Sequence, residues 1–247
     1  MPVARRLCLI ALSLAAPTAW CGPPFSTDDP AIVEAGHVEL LPFHQTTVTA
    51  SGRAGVLSGL ESHFGIAGNV EVDITASLAF ARAWGERTHA GYGDTTLALK
   101  YKLLDQAPGH PLVSLVPRIN VATGSARRGL GNGGTQMFLA ASFQHDFEPF
   151  QTYVTAGYWL NRGATHRNYA SAGWVVQRDF TTRWTLGIEL FANGAPSAND
   201  SSSIGFNAGG AYKLGARGQW LFSAGRGIVH AAQTNRFSTY VGYLHTF

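Results

Sequence analysis

The sequence is short of charged side chains. Asp, Glu, Lys and Arg make up 13% of its 247 residues, well below the roughly 25% that soluble globular domains carry. Hydrophobic residues make up 45%, and the formal net charge is only +3. Disordered chains show the opposite balance, with few apolar residues and a high net charge, so the composition excludes disorder. The 18 basic residues are scattered rather than clustered, which argues against a nucleic-acid partner.

Cysteine is almost absent, and no histidine pattern takes its place. The only cysteines are Cys8 and Cys21, and a mature chain that begins after Cys21 has none. Such a chain has neither a disulfide framework nor a thiolate metal site. The nine histidines show no HxxxH or similar ligand spacing. The sequence therefore predicts no metal site and indicates no cofactor.

Long hydrophobic runs are also missing, apart from a short one at the N-terminus. Residues 7–16 are apolar and follow Arg5 and Arg6, a run too short for a membrane helix but typical of a signal-peptide core. We predict a signal peptide over residues 1–21, with cleavage after Ala19 as the alternative. Lipidation of Cys21 is disfavoured because the bulky Trp20 precedes it.

Period-two alternation recurs along the rest of the chain. In residues 70–80, apolar side chains such as Val72 and Ile74 alternate with polar ones such as Glu71 and Asp73, which predicts a strand with one apolar and one polar face. The same pattern predicts about twelve strands, over residues 37–48, 55–66, 69–82, 93–104, 111–123, 134–145, 150–161, 168–178, 183–193, 202–214, 218–226 and 236–247.

The connections between these strands fall into two sets. Those after even-numbered strands are mostly tight turns, whereas several after odd-numbered strands, such as 83–92, 124–133 and 194–201, are longer and rich in Gly, Arg, Asn and Ser. This pattern is typical of outer-membrane barrels, whose short turns are periplasmic and whose longer loops are extracellular. We therefore predict an all-β fold, an antiparallel transmembrane β-barrel of about twelve strands, which leaves no strand edge facing lipid.

Aromatic residues support the barrel over a secreted β-sandwich, the alternative fold. In a barrel, aromatic side chains gather at the membrane interfaces, whereas a sandwich has no reason to place them at one level. The apolar faces carry an aromatic residue near the short-turn end at Phe64, Tyr101, Phe143, Trp184, Tyr212, Trp220 and Phe247.

Five short motifs resemble a known family. They are PFSTDDP (24–30), GHVE (36–39), GIAGNVE (65–71), GDTTLALKYK (93–102) and ATG (122–124). In this order they are similar to the transporter-like outer-membrane family labelled "putative MetA-pathway of phenol degradation". The resemblance implies an exported barrel of a Gram-negative outer membrane that passes small compounds, with aromatic ones as candidates. The predicted organisation is a signal peptide (1–21), an N-terminal periplasmic segment (22–36) and the barrel (37–247).

Partners follow from the predicted location. The chain ends in Phe247, with Tyr243 and Val241 at alternating positions before it, which is similar to the C-terminal signal read by barrel-assembly machinery. Arg127 and Arg128 in an outer loop are candidates for contact with lipopolysaccharide phosphates. Outer-membrane lipid and a small-molecule solute complete the expected partners.

Charged residues on inward faces are the candidate functional residues. The pattern places Glu71 and Asp73 near Lys100 and Lys102 across a strand pair, where opposite charges stabilise each other. Either they form a structural ion-pair network or they line a selective constriction. The complete set of candidate lumen-lining residues is Glu39, Glu61, Glu71, Asp73, Lys100, Lys102, Arg118, Glu189 and Lys213.

Two further features bear on function. Residues 25–35 either form an ordinary turn into the first strand, which we favour, or reach into the periplasmic mouth. Ser142 and His145 are three apart on one strand and so lie on opposite faces, which argues against a lipid hydrolase. We expect a passive channel for small, hydrophobic or aromatic solutes rather than an enzyme, with a structural or surface-interaction barrel as the alternative.

Overall fold

The structure is a computed structural model that describes residues 24–162 and 166–247. The predicted signal peptide lies outside these residues. Within them, no helix is both long enough and apolar enough to cross a membrane.

The described chain is almost entirely antiparallel β-sheet. A 3-10 turn at Ala126–Arg128 and a helical turn, α1, at Ala231–Thr234 are brief interruptions. The strand segments are β1 (Val38–Val48), β2 (Gly52–Ala67), β3 (Val70–Ala83), β4 (His89–Tyr92), β5 (Thr95–Leu104), β6 (Leu112–Leu115), β7 (Arg118–Val121), β8 (Gln136–Phe147), β9 (Phe150–Asn161), β10 (Tyr169–Asp179), β11 (Trp184–Asn193), β12 (Ser203–Lys213), β13 (Gly218–Val229) and β14 (Phe237–Thr246).

These segments form a closed barrel of twelve strands, which confirms the predicted fold class. β3 pairs with both β4 and β5, and β8 pairs with both β6 and β7, so each of these two pairs of segments makes one barrel strand. Pro117 separates β6 from β7 because proline has no N–H to give to the ladder. The sheet closes where β1 pairs with β14 as well as with β2.

Side chains alternate between the inside and the outside of the barrel. On β11, Glu189 is fully buried whereas its neighbour Ile188 is 60% exposed. The same alternation along the other strands produces an apolar outer band suited to lipid and a polar interior. Leu41, Leu221 and Leu244 form a small apolar cluster inside the wall.

Three of the seven aromatic residues predicted near the short-turn ends take part in two close pairs. Trp184 lies 4.6 Å from Tyr212, and Trp220 lies 5.2 Å from Tyr243, measured between ring centroids. Trp184 and Trp220 are exposed on the outer face. Further exposed aromatic residues lie near the opposite ends of their strands, where the pattern had not singled them out: Trp84, Tyr92, Tyr158 and Phe237.

Candidate functional site in the barrel interior

The N-terminal segment lies inside the barrel. Residues 24–34, called here the plug segment, contact the inner wall from β3 around to β13. The favoured prediction of an ordinary turn into the first strand is therefore wrong, and the alternative, in which the segment reaches into the barrel mouth, is nearer to the structure. The wall offers a ring of polar side chains to the segment's backbone, and a buried backbone group without a partner is costly.

Glu189 binds the N-terminal part of the plug segment. Its Oε1 accepts hydrogen bonds from the backbone N–H of Thr27 at 2.7 Å and from Thr27 Oγ1 at 2.6 Å. Its Oε2 accepts from the N–H of Ser26 at 3.2 Å and from Asn207 Nδ2 at 2.5 Å. Ser223 Oγ donates to the carbonyl oxygen of Pro24 at 2.6 Å. The segment is therefore fixed to β11 and β13, and Asn207 on β12 supports Glu189.

Asp28 anchors the middle of the segment to the opposite wall. Its carboxylate pairs with Arg118 on β7, and its carbonyl oxygen accepts a hydrogen bond from Ser142 Oγ at 2.7 Å and another from Thr155 Oγ1. Ser114 Oγ donates to the carbonyl oxygen of Pro30. Hydroxyls on three neighbouring barrel strands thus satisfy the carbonyl groups of Asp28 and Pro30.

Lys100 and Glu71 lie beside the segment's last residues. Lys100 Nζ donates to the carbonyl oxygen of Ala31 at 3.0 Å and lies 3.7 Å from Glu71 Oε1. Glu71 Oε2 accepts the N–H of Val33. Lys102 does not join this group as predicted: its Nζ lies 2.6 Å from Asp105 in the following turn. A position one pleat nearer the strand end puts Lys102 within reach of the turn instead.

The other four predicted interior residues are Glu39, Glu61, Asp73 and Lys213. Glu39 Oε1 accepts from Thr246 Oγ1 at 2.9 Å across the β1–β14 closure. His63 contacts Asp73 at 3.0 Å and Glu61 at 3.7 Å. Lys213 occupies the last position of β12. The predicted pairing of Asp73 with a lysine is therefore replaced by a contact with His63, which the sequence analysis had not singled out.

Gly173 on β10 makes room for the plug segment. A Cβ at this position would lie 1.8 Å from Thr27 Oγ1, so no larger residue fits without moving one of the two. Phe25 packs beside it against Tyr153 and Val175. The wall is thus complementary to the segment in shape as well as in hydrogen bonding.

A cavity of about 340 Å³, called here the aromatic cavity, lies beside residues 26–28 of the plug segment and is lined by four aromatic rings and by polar side chains. Phe138 stacks on Trp159 at 4.6 Å, and Trp159 stacks on Tyr169 at 6.0 Å between ring centroids. Arg118 lies 6.0 Å from the centre of the Phe138 ring, and its buried Nε has no hydrogen-bond partner among the described residues. The cavity therefore combines ring faces with a cationic donor.

Two more cavities lie in the barrel. One of about 300 Å³ is lined by charged and polar residues that include Glu61, His63, Asp73 and Arg118. Another of about 490 Å³ is lined by residues 31–34 of the plug segment and by Phe247, on the side of the short turns. The Asp28–Arg118 pair borders both the polar and the aromatic cavity, so it stands between them.

The outer loop after β7 is held by Asp94. Its Oδ1 accepts the N–H of Gly124 at 2.9 Å and its Oδ2 accepts the N–H of Asn132 at 2.7 Å. Thr123 Oγ1 donates to the carbonyl oxygen of Gly93 at 2.8 Å. The two motifs GDTT and ATG therefore contact each other, and they fold the loop back onto the barrel rim.

Ser142 and His145 do not come together. Ser142 is completely buried in the interior and donates to the plug segment, whereas His145 lies 4.7 Å from the Phe147 ring, three positions along β8 and on its opposite face.

A closed barrel with an apolar outside and a charged, plugged inside defines the class of outer-membrane-type β-barrels. The chain belongs to the family described as "Putative MetA-pathway of phenol degradation", whose family model matches residues 38–244. Comparison with curated proteins gives no match.

Solved structures show the same fold. The COG4313 outer membrane channel from Pseudomonas putida F1 is similar over 89% of this chain and 98% of its own, with 15% identity and a TM-score of 0.69. The KdgM porin, solved with a disordered oligogalacturonate, is similar over 85% of this chain and 99% of its own, with 10% identity and a TM-score of 0.57. The NanC porin is similar over 84% and 98%, with 8% identity and a TM-score of 0.58.

Proposed function

We propose that the protein is an outer-membrane channel through which small hydrophobic or aromatic solutes pass passively, and that it is exported by its signal peptide. The barrel fold and the family support a channel. The observation that carries the choice of solute is the aromatic-lined cavity inside the wall. A cavity of roughly 150 Å³ is enough to bind benzene, and this one is larger.

The chemistry of the cavity favours an aromatic solute with an oxygen acceptor. Phe138, Trp159 and Tyr169 offer ring faces, and stacked rings gain about 0.5–1.5 kcal/mol beyond burial. Arg118 borders the cavity, and the N–H groups of its guanidinium form the stronger kind of hydrogen bond with a carboxylate or phenolate. An aromatic acid satisfies both.

Passage through the barrel involves the plug segment. Residues 24–34 lie between the cavity of about 490 Å³ on the short-turn side and the aromatic cavity. A solute must therefore pass beside the segment or displace it. A hydrogen bond to a neutral partner is worth about 0.5–1.5 kcal/mol and one to a charged partner about 1.5–3 kcal/mol, so release is easiest where neutral hydroxyls hold the segment, at Pro24 and Pro30.

Single-channel recording with two matched solutes tests the solute class. Benzoate and cyclohexanecarboxylate carry the same charge and differ in aromaticity. We expect benzoate to interrupt the ion current for longer than cyclohexanecarboxylate. Equal interruption times would argue against an aromatic site.

A pair of tryptophan variants locates the effect. Trp159→Leu removes the middle ring of the cavity stack and is expected to shorten the benzoate interruptions. Trp174→Leu is the control, because Trp174 is exposed on the outer face of β10. An equal effect of both variants would place the interaction outside the cavity.

The alternative is a structural barrel without transport, and removal of the plug segment separates the two. A mature chain lacking residues 24–34 should conduct more than the complete chain if the barrel is a channel. Absence of current from both proteins, once folding is verified, would favour the structural barrel.

The proposed location also defines surface partners. Arg127 and Arg128 lie exposed in the outer loop between β7 and β8, where they can meet lipopolysaccharide phosphates. Phe247 is 59% exposed at the end of the chain, where assembly machinery can reach it.

A further inference from the structure

Four ionisable side chains meet on the inner face of the β2–β3 hairpin. Glu61 and His63 belong to β2, and Glu71 and Asp73 belong to β3. The antiparallel register sets His63 directly opposite Asp73. His63 Nδ1 lies 3.0 Å from Asp73 Oδ1 and 3.6 Å from Glu71 Oε1, so one imidazole nitrogen faces two carboxylates.

The 3.0 Å spacing fits two ligands on a single metal ion, and the other spacings in the cluster are longer. Zinc holds an imidazole nitrogen at about 2.0–2.1 Å and a carboxylate oxygen at about 2.0–2.2 Å. Two such atoms on one ion, at right or tetrahedral angles, are therefore about 3.0–3.4 Å apart. The candidate ligand atoms of His63, Glu71 and Asp73 all lie within 4.8 Å of one another. Small side-chain movements bring all three onto one ion.

The second imidazole nitrogen of His63 provides an independent indication of a metal site. His63 Nε2 is buried and has no hydrogen-bond partner among the described residues, and His63 as a whole is 8% exposed. Glu61 Oε2 lies 3.7 Å from this nitrogen. A metal-bound histidine donates its other N–H to a carboxylate or carbonyl that fixes its tautomer. When Nδ1 binds an ion, Nε2 carries the proton, and Glu61 is placed to accept a hydrogen bond from it.

The charge balance at the cluster favours a cation. Among the described residues, Glu61 and Asp73 each form an ion pair with His63. Neither has a lysine or arginine within 4.0 Å in that part of the chain. Lys100 Nζ lies 3.7 Å from Glu71 and offsets one carboxylate. Buried carboxylates persist only when paired, so a divalent ion would neutralise the remaining negative charge.

We propose that His63, Glu71 and Asp73 bind a divalent first-row transition metal ion such as Zn²⁺, with Glu61 as the positioning residue. The imidazole selects against Mg²⁺ and Ca²⁺, which prefer oxygen ligands alone. Glu71 Oε2 accepts the N–H of Val33, so the ion lies between the barrel wall and the plug segment. The site is independent of the transported solute.

Zinc binding to the complete refolded protein in detergent tests the proposal without any transport assay. Equilibrium dialysis with Zn²⁺ followed by metal analysis should give one tight ion per chain. A failure of this test leaves the channel proposal intact, because no current is measured. A protein that binds no zinc under these conditions overturns the site.

Variants identify the ligands. We expect His63→Gln and Asp73→Asn to abolish the tight ion, and Glu61→Gln to weaken binding about 10- to 100-fold, as loss of an outer partner does. The control is His145→Gln, because His145 lies on the outer face of β8 and should not affect the count. Asp73→Asn keeps the size of the side chain, so it remains informative if His63→Gln fails to fold. Unchanged zinc affinity in Asp73→Asn, or equal loss in His145→Gln, overturns the proposal.

Discussion

Glu189 is the residue whose environment most clearly explains an interior charge. Its two carboxylate oxygens accept four hydrogen bonds, three of them from the plug segment. Sequence alternation placed Glu189 inside the barrel but gave no partner for it, because its main partners are backbone N–H groups more than a hundred residues away in the chain. The carboxylate was predicted to line a pore, but it accepts hydrogen bonds from the backbone of the plug segment.

We predict that Glu189→Gln lowers the free energy of unfolding by about 1–3 kcal/mol. The amide N–H₂ of glutamine would face donors from Thr27, Ser26 or Asn207, which leaves a buried donor unmatched. Urea unfolding in lipid vesicles measures the change. Glu148→Gln, in the exposed turn between β8 and β9, is the control and should be neutral. Equal stability of the two variants would mean that the segment is not held by Glu189.

Gly173→Ala should weaken the attachment of the plug segment at Thr27. The new Cβ would lie 1.8 Å from Thr27 Oγ1, so this hydroxyl must move and lose its hydrogen bond to Glu189. We expect a larger single-channel conductance than that of the unmodified protein. Gly215→Ala is the matched control, since nothing lies within 4 Å of a Cβ there. Unchanged conductance in Gly173→Ala would show that the plug segment around Thr27 does not limit ion flow through the barrel.

At the scale of elements, strands were predictable and the contents of the barrel were not. Alternation located twelve strands because half of each strand must be apolar to face lipid. It missed β4, whose residues His89–Tyr92 do not alternate clearly, and the break at Pro117. Entry of the plug segment into the barrel was only the less favoured alternative, because wall hydroxyls bind its backbone, which carries no sequence signature. The His63 cluster was missed because its ligand spacing appears only across a hairpin, as Glu-x-His on β2 opposite Glu-x-Asp on β3.

The outer loop is an element fixed by one side chain, and Asp94→Ala should loosen it. The substitution removes the acceptors for the N–H groups of Gly124 and Asn132. A loss of about 1.4 kcal/mol, within the range for one such bond, raises the open population about tenfold. Trypsin cleavage after Arg127 or Arg128 should accelerate accordingly. Asp200→Ala, in the exposed loop after β11, should leave that cleavage rate unchanged; if both variants are cleaved alike, Asp94 does not anchor the loop.

At the scale of the whole molecule, the shortage of charge reflects the outer surface of the barrel. Ile188 and Ile66 are equally exposed, at 60% and 61%, but Ile188 lies mid-strand on β11 whereas Ile66 lies near the short-turn end of β2. An arginine at the membrane midplane costs about 2–4 kcal/mol and one near the interface about 0–1 kcal/mol. Ile188→Arg should therefore lower the free energy of unfolding from lipid vesicles several times more than Ile66→Arg. In detergent micelles, which adapt to the charge, the difference between the two variants should shrink. Equal destabilisation of both variants in vesicles would contradict a lipid-facing band centred on the middle of the strands, and with it the proposed place of the barrel in a membrane.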